Sequence, residues 1–209
     1  MSDTAPRRFE VRHLQLARAL FAALAAAMIT FSADHSAAVG LSVFSGFAIA
    51  TGLVFLLSAW LVHPAGRRTP GILLGILCLV AGMASGLPPL RSATLFFAVV
   101  ITWALASGTA ELVSGIVARR RGDTEARDAI LIGAITIALG VALLIVNPAY
   151  SLEYFIHDAG QWFTLTGTTI GVGLFGGYAA VVAVFLAIAG LSPRRQTADR
   201  TTATAGERA

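Results

Sequence analysis

The chain has 209 residues, of which 56% are apolar and only 12% are charged, and its mean hydropathy is +0.79. This composition excludes an ordinary soluble domain and indicates an integral membrane protein. All 15 basic residues are arginines and the net charge is +4. Because the arginines cluster at the ends of apolar spans and in the tails, they set membrane topology, and no nucleic-acid binding is expected.

Six apolar spans are predicted, which makes the fold an all-α integral membrane protein in contact with the lipid bilayer. They cover about 14–31, 39–62, 71–87, 93–118, 129–146 and 163–191. A polar cytoplasmic arm, 1–13, precedes them, and a polar, low-complexity tail, 192–209, is predicted to be disordered. The first span also has features of a cleavable signal peptide. The long polar start and the well-matched second span favour an uncleaved helix.

The distribution of arginines predicts the orientation. Fourteen of the 15 lie in the N-terminal arm with the start of the first span, in loops 63–70 and 119–128, or in the tail. Arg91 alone lies on the other side. The positive-inside rule therefore places both termini in the cytoplasm, in the inner (plasma) membrane of a cell.

Glu111 is the only charged residue that this pattern places well inside a span. It precedes Arg119 by eight residues, roughly 12 Å at about 1.5 Å per residue. A charge at that depth is costly, so Glu111 should face other helices, be protonated or find a partner. Four small residues share its helical face: Ser107, Gly108, Ser114 and Gly115. This face predicts close helix packing, with Ser107 or Ser114 as a hydrogen-bond partner of Glu111. A structural role for Glu111 is preferred to proton or ligand handling.

The sixth span is rich in glycine. Gly167 with Gly171, and Gly173 with Gly177, are G-x-x-x-G pairs that predict close helix contacts. Gly171, Gly173 and Gly176 also spell a dinucleotide-binding pattern, but such a site needs a strand before the glycines and a helix that begins at them, whereas these glycines lie inside an apolar span. Self-association into a homo-oligomer is left open.

Two outer loops, 32–38 and 147–162, carry histidines beside aspartates. The residues are Asp34, His35, His157 and Asp158, with Glu153 spaced one helical turn before His157. Histidine has an ordinary pKa near 6.5, so acidification outside the cell would charge both histidines and cancel the negative charge of this face. The hypothesis is a pH-responsive outer face, and ordinary solvated loops are the simpler interpretation. Zinc binding is disfavoured because the ligands would come from distant loops.

No catalytic arrangement is found. The sequence has no H-E-x-x-H, C-x-x-C or P-loop motif, and the single cysteine, Cys78, cannot form an intrachain disulfide. A serine nucleophile at Ser107 or Ser114 with Glu111 as base is a weak candidate. We therefore predict no catalytic residue, no metal, no cofactor and no enzymatic activity.

Spans three and five resemble each other. Gly75 and Gly82 in one match Gly133 and Gly140 in the other, and each span stops at a proline, Pro88 or Pro148. The six spans then divide into three in–out–in hairpins, 14–62, 71–118 and 129–191, which predicts a threefold pseudo-repeat.

The same unit resembles the HdeD family of small six-helix bacterial membrane proteins. The matching positions within residues 70–191 are the glycines and prolines of these two spans, together with Trp103, Gly108, Glu111 and Arg119–Arg121. The third hairpin departs from the pattern, since no acidic residue follows Gly177 within the span. The resemblance implies a non-enzymatic inner-membrane protein with a role in acid resistance or membrane stress, and it supplies no catalytic residues.

The alternative is a small transporter or channel subunit that uses Glu111 and the glycine-rich sixth helix as its pathway. The sequence does not identify a small-molecule substrate. A polar cavity that reaches Glu111 from one side would favour the transporter, and a tightly packed bundle would favour the first interpretation.

Overall fold

A computed structural model describes residues 11–62, 65–123, 126–158 and 160–192. The helices are α1 (Val11–Phe31), α2 (Ala37–Leu61), α3 (Thr69–Gly86), α4 (Ala93–Arg120), α5 (Ala126–Ile145) and α6 (Gly167–Leu191). Strands β1 (Ser151–Ile156) and β2 (Gln161–Thr166) lie between α5 and α6. All six helices are long and apolar enough to cross a membrane. The prediction of six long apolar helices is confirmed, whereas most of the predicted arm and tail (1–10 and 193–209) lies outside the described residues.

Three of the helices begin at a hydroxyl side chain. Ser36, Ser92 and Thr166 precede α2, α4 and α6, and each side chain accepts a hydrogen bond from the backbone N–H three residues later. Such a cap satisfies one of the four N–H groups that a helix start leaves without an intrahelical partner. The caps therefore fix where these helices begin.

The two ends of the bundle carry different residues. α1 begins where α6 ends, since Gly190 packs against Leu16. The connections from α2 to α3 and from α4 to α5 meet at this end as well, where Arg67 and Asp123 form an ion pair at 3.0 Å. We call this the arginine-rich end. The opposite end, which carries the β-hairpin, is the hairpin end.

The helices pack most extensively in three pairs: α2 with α3, α4 with α5, and α6 with α1. Each pair is adjacent at the arginine-rich end. The in–out–in hairpins predicted from the sequence group α1 with α2, α3 with α4 and α5 with α6, and these contacts are less extensive. Glycines explain the preference, because Gly108 and Gly133 bring the backbones of α4 and α5 together.

An aromatic cluster joins α2, α4 and α6 at the centre of the bundle. Phe44 lies edge-on to Trp103, with ring centroids 5.1 Å apart, and to Phe175 at 5.4 Å. Trp103 also meets Tyr178 at 6.0 Å. Offset and edge-on geometries are the favoured ones for aromatic pairs. By contrast, α1 exposes Leu20, Leu24 and Met28, as expected of a surface that faces lipid.

The segment predicted as an outer loop and the start of span six forms the β-hairpin. Its strands are antiparallel, with Leu152 opposite Leu165 and Tyr154 opposite Phe163, and α6 begins only at Gly167 rather than at 163. The all-α prediction therefore holds for the spans and misses these two strands. Glu153 and His157 are consequently not one helical turn apart. An extended chain separates them by roughly 13 Å at about 3.3 Å per residue.

A polar site inside the apolar bundle

Arg18 of α1 and Glu111 of α4 form an ion pair inside the bundle. Nη1 of Arg18 lies 2.9 Å from Oε1 of Glu111, and Nη2 lies 3.3 Å from Oε2. Their side chains are only 11% and 8% exposed. Two parallel N–H···O bonds are the geometry in which guanidinium and carboxylate bind each other best. Glu111 is thus not the only charged residue within the spans, since Arg18 lies beside it.

The guanidinium of Arg18 also stacks on an aromatic ring. Its Cζ lies 4.3 Å from the centroid of Phe55 on α2. A cation over a ring face is attracted by the ring quadrupole, and more strongly where water is excluded. Arg18 is therefore held by α2 and α4 together, although its backbone belongs to α1.

The two serines near Glu111 do not bind its carboxylate. Ser107 Oγ donates to the carbonyl oxygen of Trp103 at 2.6 Å, and Ser114 Oγ donates to the carbonyl oxygen of Glu111 at 2.8 Å. Within an apolar helix, a hydroxyl is most simply satisfied by the backbone of the preceding turn. The sequence-based assignment of these serines as partners of Glu111 is corrected accordingly, and Arg18 takes that place.

A second polar contact lies nearer the arginine-rich end. Gln15 of α1 donates from Nε2 to Oδ2 of Asp128, the acidic residue in the first turn of α5, at 2.8 Å. Gln15 is buried, one turn before Arg18 on the same helix. α1 therefore presents two polar side chains in succession to the interior, one bound to α5 and one to α4.

These polar side chains line an open cavity of about 150 Å³ at the arginine-rich end. Its polar residues are Gln15, Arg18, Ser58, Glu111, Ser114 and Asp128. The cavity reaches the ion pair, since both Arg18 and Glu111 line it. We call it the outer cavity because it lies nearer the surface of the bundle, and the name does not refer to the outside of the cell. A polar cavity that reaches Glu111 from one side is the feature expected of a transporter, and not of a tightly packed bundle.

A smaller cavity of about 10 Å³, the inner cavity, lies deeper in the bundle. Five residues line both cavities and so form the partition between them: Arg18, Phe55, Leu74, Glu111 and Leu186. Beyond the partition, the residues that line the inner cavity include Thr51, Trp103 and Tyr178. Tyr178 is hydrogen-bonded to Thr136 at 3.0 Å between hydroxyl oxygens, and Trp103 Nε1 donates to Cys78 Sγ at 3.4 Å.

The glycines singled out by the sequence fall into two groups. Gly108 and Gly115 face α5, Gly171 faces Phe97 of α4, and Gly167 lies against the backbone of Asn147. Gly173 and Gly177 are different, because a Cβ added at either would meet nothing within 4 Å. The second predicted G-x-x-x-G pair therefore lies on the exposed face of α6 and packs against no other helix of the described chain.

The histidine–aspartate pairs lie at the hairpin end. Asp34 accepts hydrogen bonds from the backbone N–H and hydroxyl of Ser36, both at 2.8 Å, and so supports the start of α2. His157 is exposed at the end of β1, edge-on to Phe155 at 5.1 Å. Among the described residues, no hydrogen bond or ion pair joins Asp34 or His35 to Glu153, His157 or Asp158. The pH-responsive outer face stays a prediction.

Arg18, Gln15 and Asp128 are the site residues that sequence reasoning missed. Arg18 counts in the sequence with the charges that flank the first span, although it lies four residues inside that span, which begins at Leu14. Seven residues into α1 and nine before the end of α4 are similar depths in antiparallel helices. The similar depths of Arg18 and Glu111 are therefore the feature of the sequence from which the ion pair could have been predicted.

Comparisons with known proteins found no family model, no curated protein and no solved structure that matches this chain.

Proposed function

We propose that this protein binds a small polar solute in the outer cavity and passes it across the membrane, as a small transporter. The observation that carries the proposal is the cavity of about 150 Å³ that opens at one end and reaches a buried Arg18–Glu111 pair. Ionisable residues inside membrane spans are costly and are retained chiefly along solute or proton pathways. A guanidinium and a carboxylate at the closed end of a cavity can each bind an opposite charge or a hydrogen-bonding group of a solute.

A threefold relation between the helix pairs supports this assignment, and we propose it in place of the in–out–in hairpins. The units are α2 with α3, α4 with α5, and α6 with α1. A Cβ at Gly52 would meet the carbonyl of Gly75, as one at Gly108 would meet that of Gly133. The third unit, α6 with α1, follows the same register, but its glycine contact corresponds to a different point along α4 and α5 from the contact of Gly108.

The contact that relates the third unit involves Gly115 and Gly190. A Cβ at Gly115 would approach Ile130 and the carbonyl of Ala126, whereas one at Gly190 would approach Leu16 and the carbonyl of Arg12. In both contacts the glycine meets two residues that lie four apart on the partner helix, with the carbonyl on the earlier of the two. Continued along each helix, this register aligns the core positions of all three units.

In this register the ion pair replaces apolar residues of the other two units. Phe55 of α2 and Leu186 of α6 occupy the position of Glu111. Leu74 of α3 and Ile132 of α5 occupy the position of Arg18. The bundle therefore closes around two apolar contacts without any charge. Because the fold does not require the ion pair, a function of the pair is the better explanation for a charge at this depth.

The aromatic cluster fits the same scheme. Phe47, Trp103 and Tyr178 are equivalent and form one layer across the bundle, and Phe44 and Phe175 belong to the next layer towards the hairpin end. These rings close the cavity on that side. A bundle open at one end and closed by packing at the other is one state of an alternating-access cycle.

We also propose that the arginine-rich end faces the cytoplasm of a cell with an inner membrane. The role in acid or membrane stress implied by the HdeD resemblance stays a prediction, which a deletion strain challenged with acid, osmotic and membrane stress would test. It is compatible with a transporter, because moving a solute is one way to answer such a stress.

The proposed function is tested by osmotic swelling of liposomes that contain the purified protein. Urea, glycerol, glycine and ammonium acetate serve as the probes. We expect at least one to enter faster with the wild type than with R18L/E111L, which carries the apolar pair found at Leu74 and Leu186. V113L, on the exposed face of α4, is the matched control and should behave as the wild type. If every probe enters wild-type and R18L/E111L liposomes at the same rate, the outer cavity is not a pathway and the proposal fails.

A further inference from the structure

Three buried polar side-chain atoms lack a hydrogen-bond partner in the described part of the chain: Arg18 Nε, Thr51 Oγ1 and Arg91 Nε. The first two belong to residues that line the inner cavity. A buried donor without an acceptor costs about 1–3 kcal/mol, so native structures rarely leave one unpaired. Two of them at one cavity indicate that something there accepts their hydrogen bonds.

Thr51 departs from the way in which this protein treats its other buried hydroxyls. Ser45, Ser58, Ser85, Ser107 and Thr136 each donate to a backbone carbonyl at 2.6–2.8 Å. Thr51 sits within α2 and is only 5% exposed, yet its hydroxyl makes no such bond. In the threefold register its equivalents are Ser107, which is bonded to its own helix, and Val182, which has no hydroxyl. The Thr51 hydroxyl is therefore available to form a hydrogen bond with a group other than the backbone of its own helix.

We infer that the inner cavity is a binding site for a single water molecule, held by Arg18 Nε–H and the hydroxyl of Thr51. A cavity must offer roughly 10–15 Å³ to the centre of a water-sized probe, and a buried water needs two to four polar partners. The inner cavity offers about 10 Å³ of such space, which is enough for one water and too little for a larger solute. Ser107 and Tyr178, which also carry hydroxyls, line the same cavity.

This site goes beyond the proposed function, because a bound water does not require that any solute be transported. The position of the water next to the ion pair nevertheless connects it to the proposed pathway. The Arg18–Glu111 pair lies in the partition between the inner and outer cavities. The water therefore stands directly behind the ion pair, and it extends the line of hydrogen-bonding groups from the outer cavity towards the aromatic cluster.

Thr51→Val tests the inference, because valine has nearly the shape of threonine and is the residue at the equivalent position in α6. If water occupies the site, T51V removes a hydrogen bond and lowers the Tm of the purified protein in lipid nanodiscs. Thr51→Ser keeps the hydroxyl and should have nearly the wild-type Tm. If the hydroxyl were unpaired, T51V would remove a buried unsatisfied group and raise the Tm.

Hydroxyl-radical footprinting by X-rays in dialysed nanodiscs gives a second measurement, with water itself as the probe. Trp103 and Tyr178 line the cavity but are only 5% and 9% exposed. We expect both to be modified several-fold faster in the wild type than in T51V, whereas Phe96, which is fully buried and does not line the cavity, should be modified at the same rate in the two proteins. A raised Tm for T51V, or modification of Trp103 and Tyr178 at the same rate in wild type and T51V, would overturn the water site.

Discussion

Arg18 and Glu111 hold opposite charges inside the bundle, away from water, and the free energy of this pair depends on two opposing contributions. Removing two ions from water costs several kcal/mol each, and their attraction repays this cost only when the geometry is good. The bidentate contact at 2.9 and 3.3 Å is such a geometry. The pair is therefore tolerated as a unit, whereas either charge alone would be strongly unfavourable.

A double-mutant cycle on the pair should be far from additive. Each of R18L and E111L leaves one buried charge without its partner, so we expect each to lower the free energy of unfolding by about 3–5 kcal/mol. The double variant R18L/E111L should recover most of that loss, since Leu74 of α3 and Leu186 of α6 occupy the equivalent positions in the proposed threefold register. The measurement is reversible unfolding of the purified protein in mixed micelles.

Glu111→Gln extends the test. With the serines as partners of Glu111, glutamine would be nearly silent. With Arg18 as the partner, it leaves a buried guanidinium facing a neutral amide and should be destabilising, though less so than E111L. Additive effects of R18L and E111L, or a silent E111Q, would show that the ion pair does not carry the coupling described here.

The depth of Glu111 could be worked out from the sequence because helix rise converts residue spacing into distance. Its partner could not. A charge near a span end is equally well explained as a topogenic charge, and only the place of α1 in the bundle, against α6 and α2, brings Arg18 to Glu111. Thr51 was also invisible, since nothing in its neighbours marks a hydroxyl that forgoes the usual bond to its own helix.

The pairing of α4 with α5 depends on glycine at the contact. A Cβ at Gly133 would lie 2.5 Å from the backbone nitrogen of Leu112 and 2.8 Å from the carbonyl oxygen of Gly108. Neither atom can move without moving its helix. Glycine is thus required here to let the two backbones approach, and not for its own conformational freedom.

We therefore expect G133A to separate α4 from α5 and to lower the Tm by many degrees, with less folded protein recovered from membranes. G173A is the matched control, because the same methyl group there meets nothing within 4 Å. Alanine favours helix over glycine by up to about 1 kcal/mol, so G173A should be neutral or slightly stabilising. A G133A protein as stable as G173A would mean that the α4–α5 contact is looser than described.

The helices were predictable because long apolar runs bounded by prolines and arginines leave little choice of element. The β-hairpin was missed for a physical reason. Its residues Leu152, Tyr154, Phe163 and Leu165 recur at every second position and share one face of the hairpin, but the same residues also suit a membrane interface. An apolar run that continues into α6 then conceals the end of β2, which is marked only by Thr166, the cap of the helix.

The arrangement of the whole bundle was the least predictable feature. Repeated glycines indicated related hairpins, but the sequence does not say whether a helix pairs with its predecessor or its successor. Small residues decide it: Gly108 with Gly133 and Gly52 with Gly75 draw together the helices joined at the arginine-rich end. The third pair, α6 with α1, joins the two ends of the chain. No local sequence signal links them.

Orientation in the membrane is the prediction that concerns the whole molecule. The arginine-rich end carries all the described arginines except Arg91, and the described residues of the hairpin end carry acidic groups such as Asp34 and Glu153. Positively charged loops are retained on the cytoplasmic side during insertion. We expect reporter fusions in the connection 121–125 and after residue 209 to report cytoplasm. A fusion in the hairpin turn, 157–160, should report the opposite side.

A matched pair of fusions sharpens the topology test. Placing one reporter after Ala118 and another after Gly122 keeps the helix number constant but removes Arg119–Arg121 from the first of them. The second should give the stronger cytoplasmic signal, since it retains the three arginines that hold this end of α4 inside. If both report the outer side, or if the turn 157–160 reports cytoplasm, the orientation is reversed. The outer cavity, with Arg18 and Glu111 at its closed end, would then open away from the cytoplasm and take its solute from outside the cell.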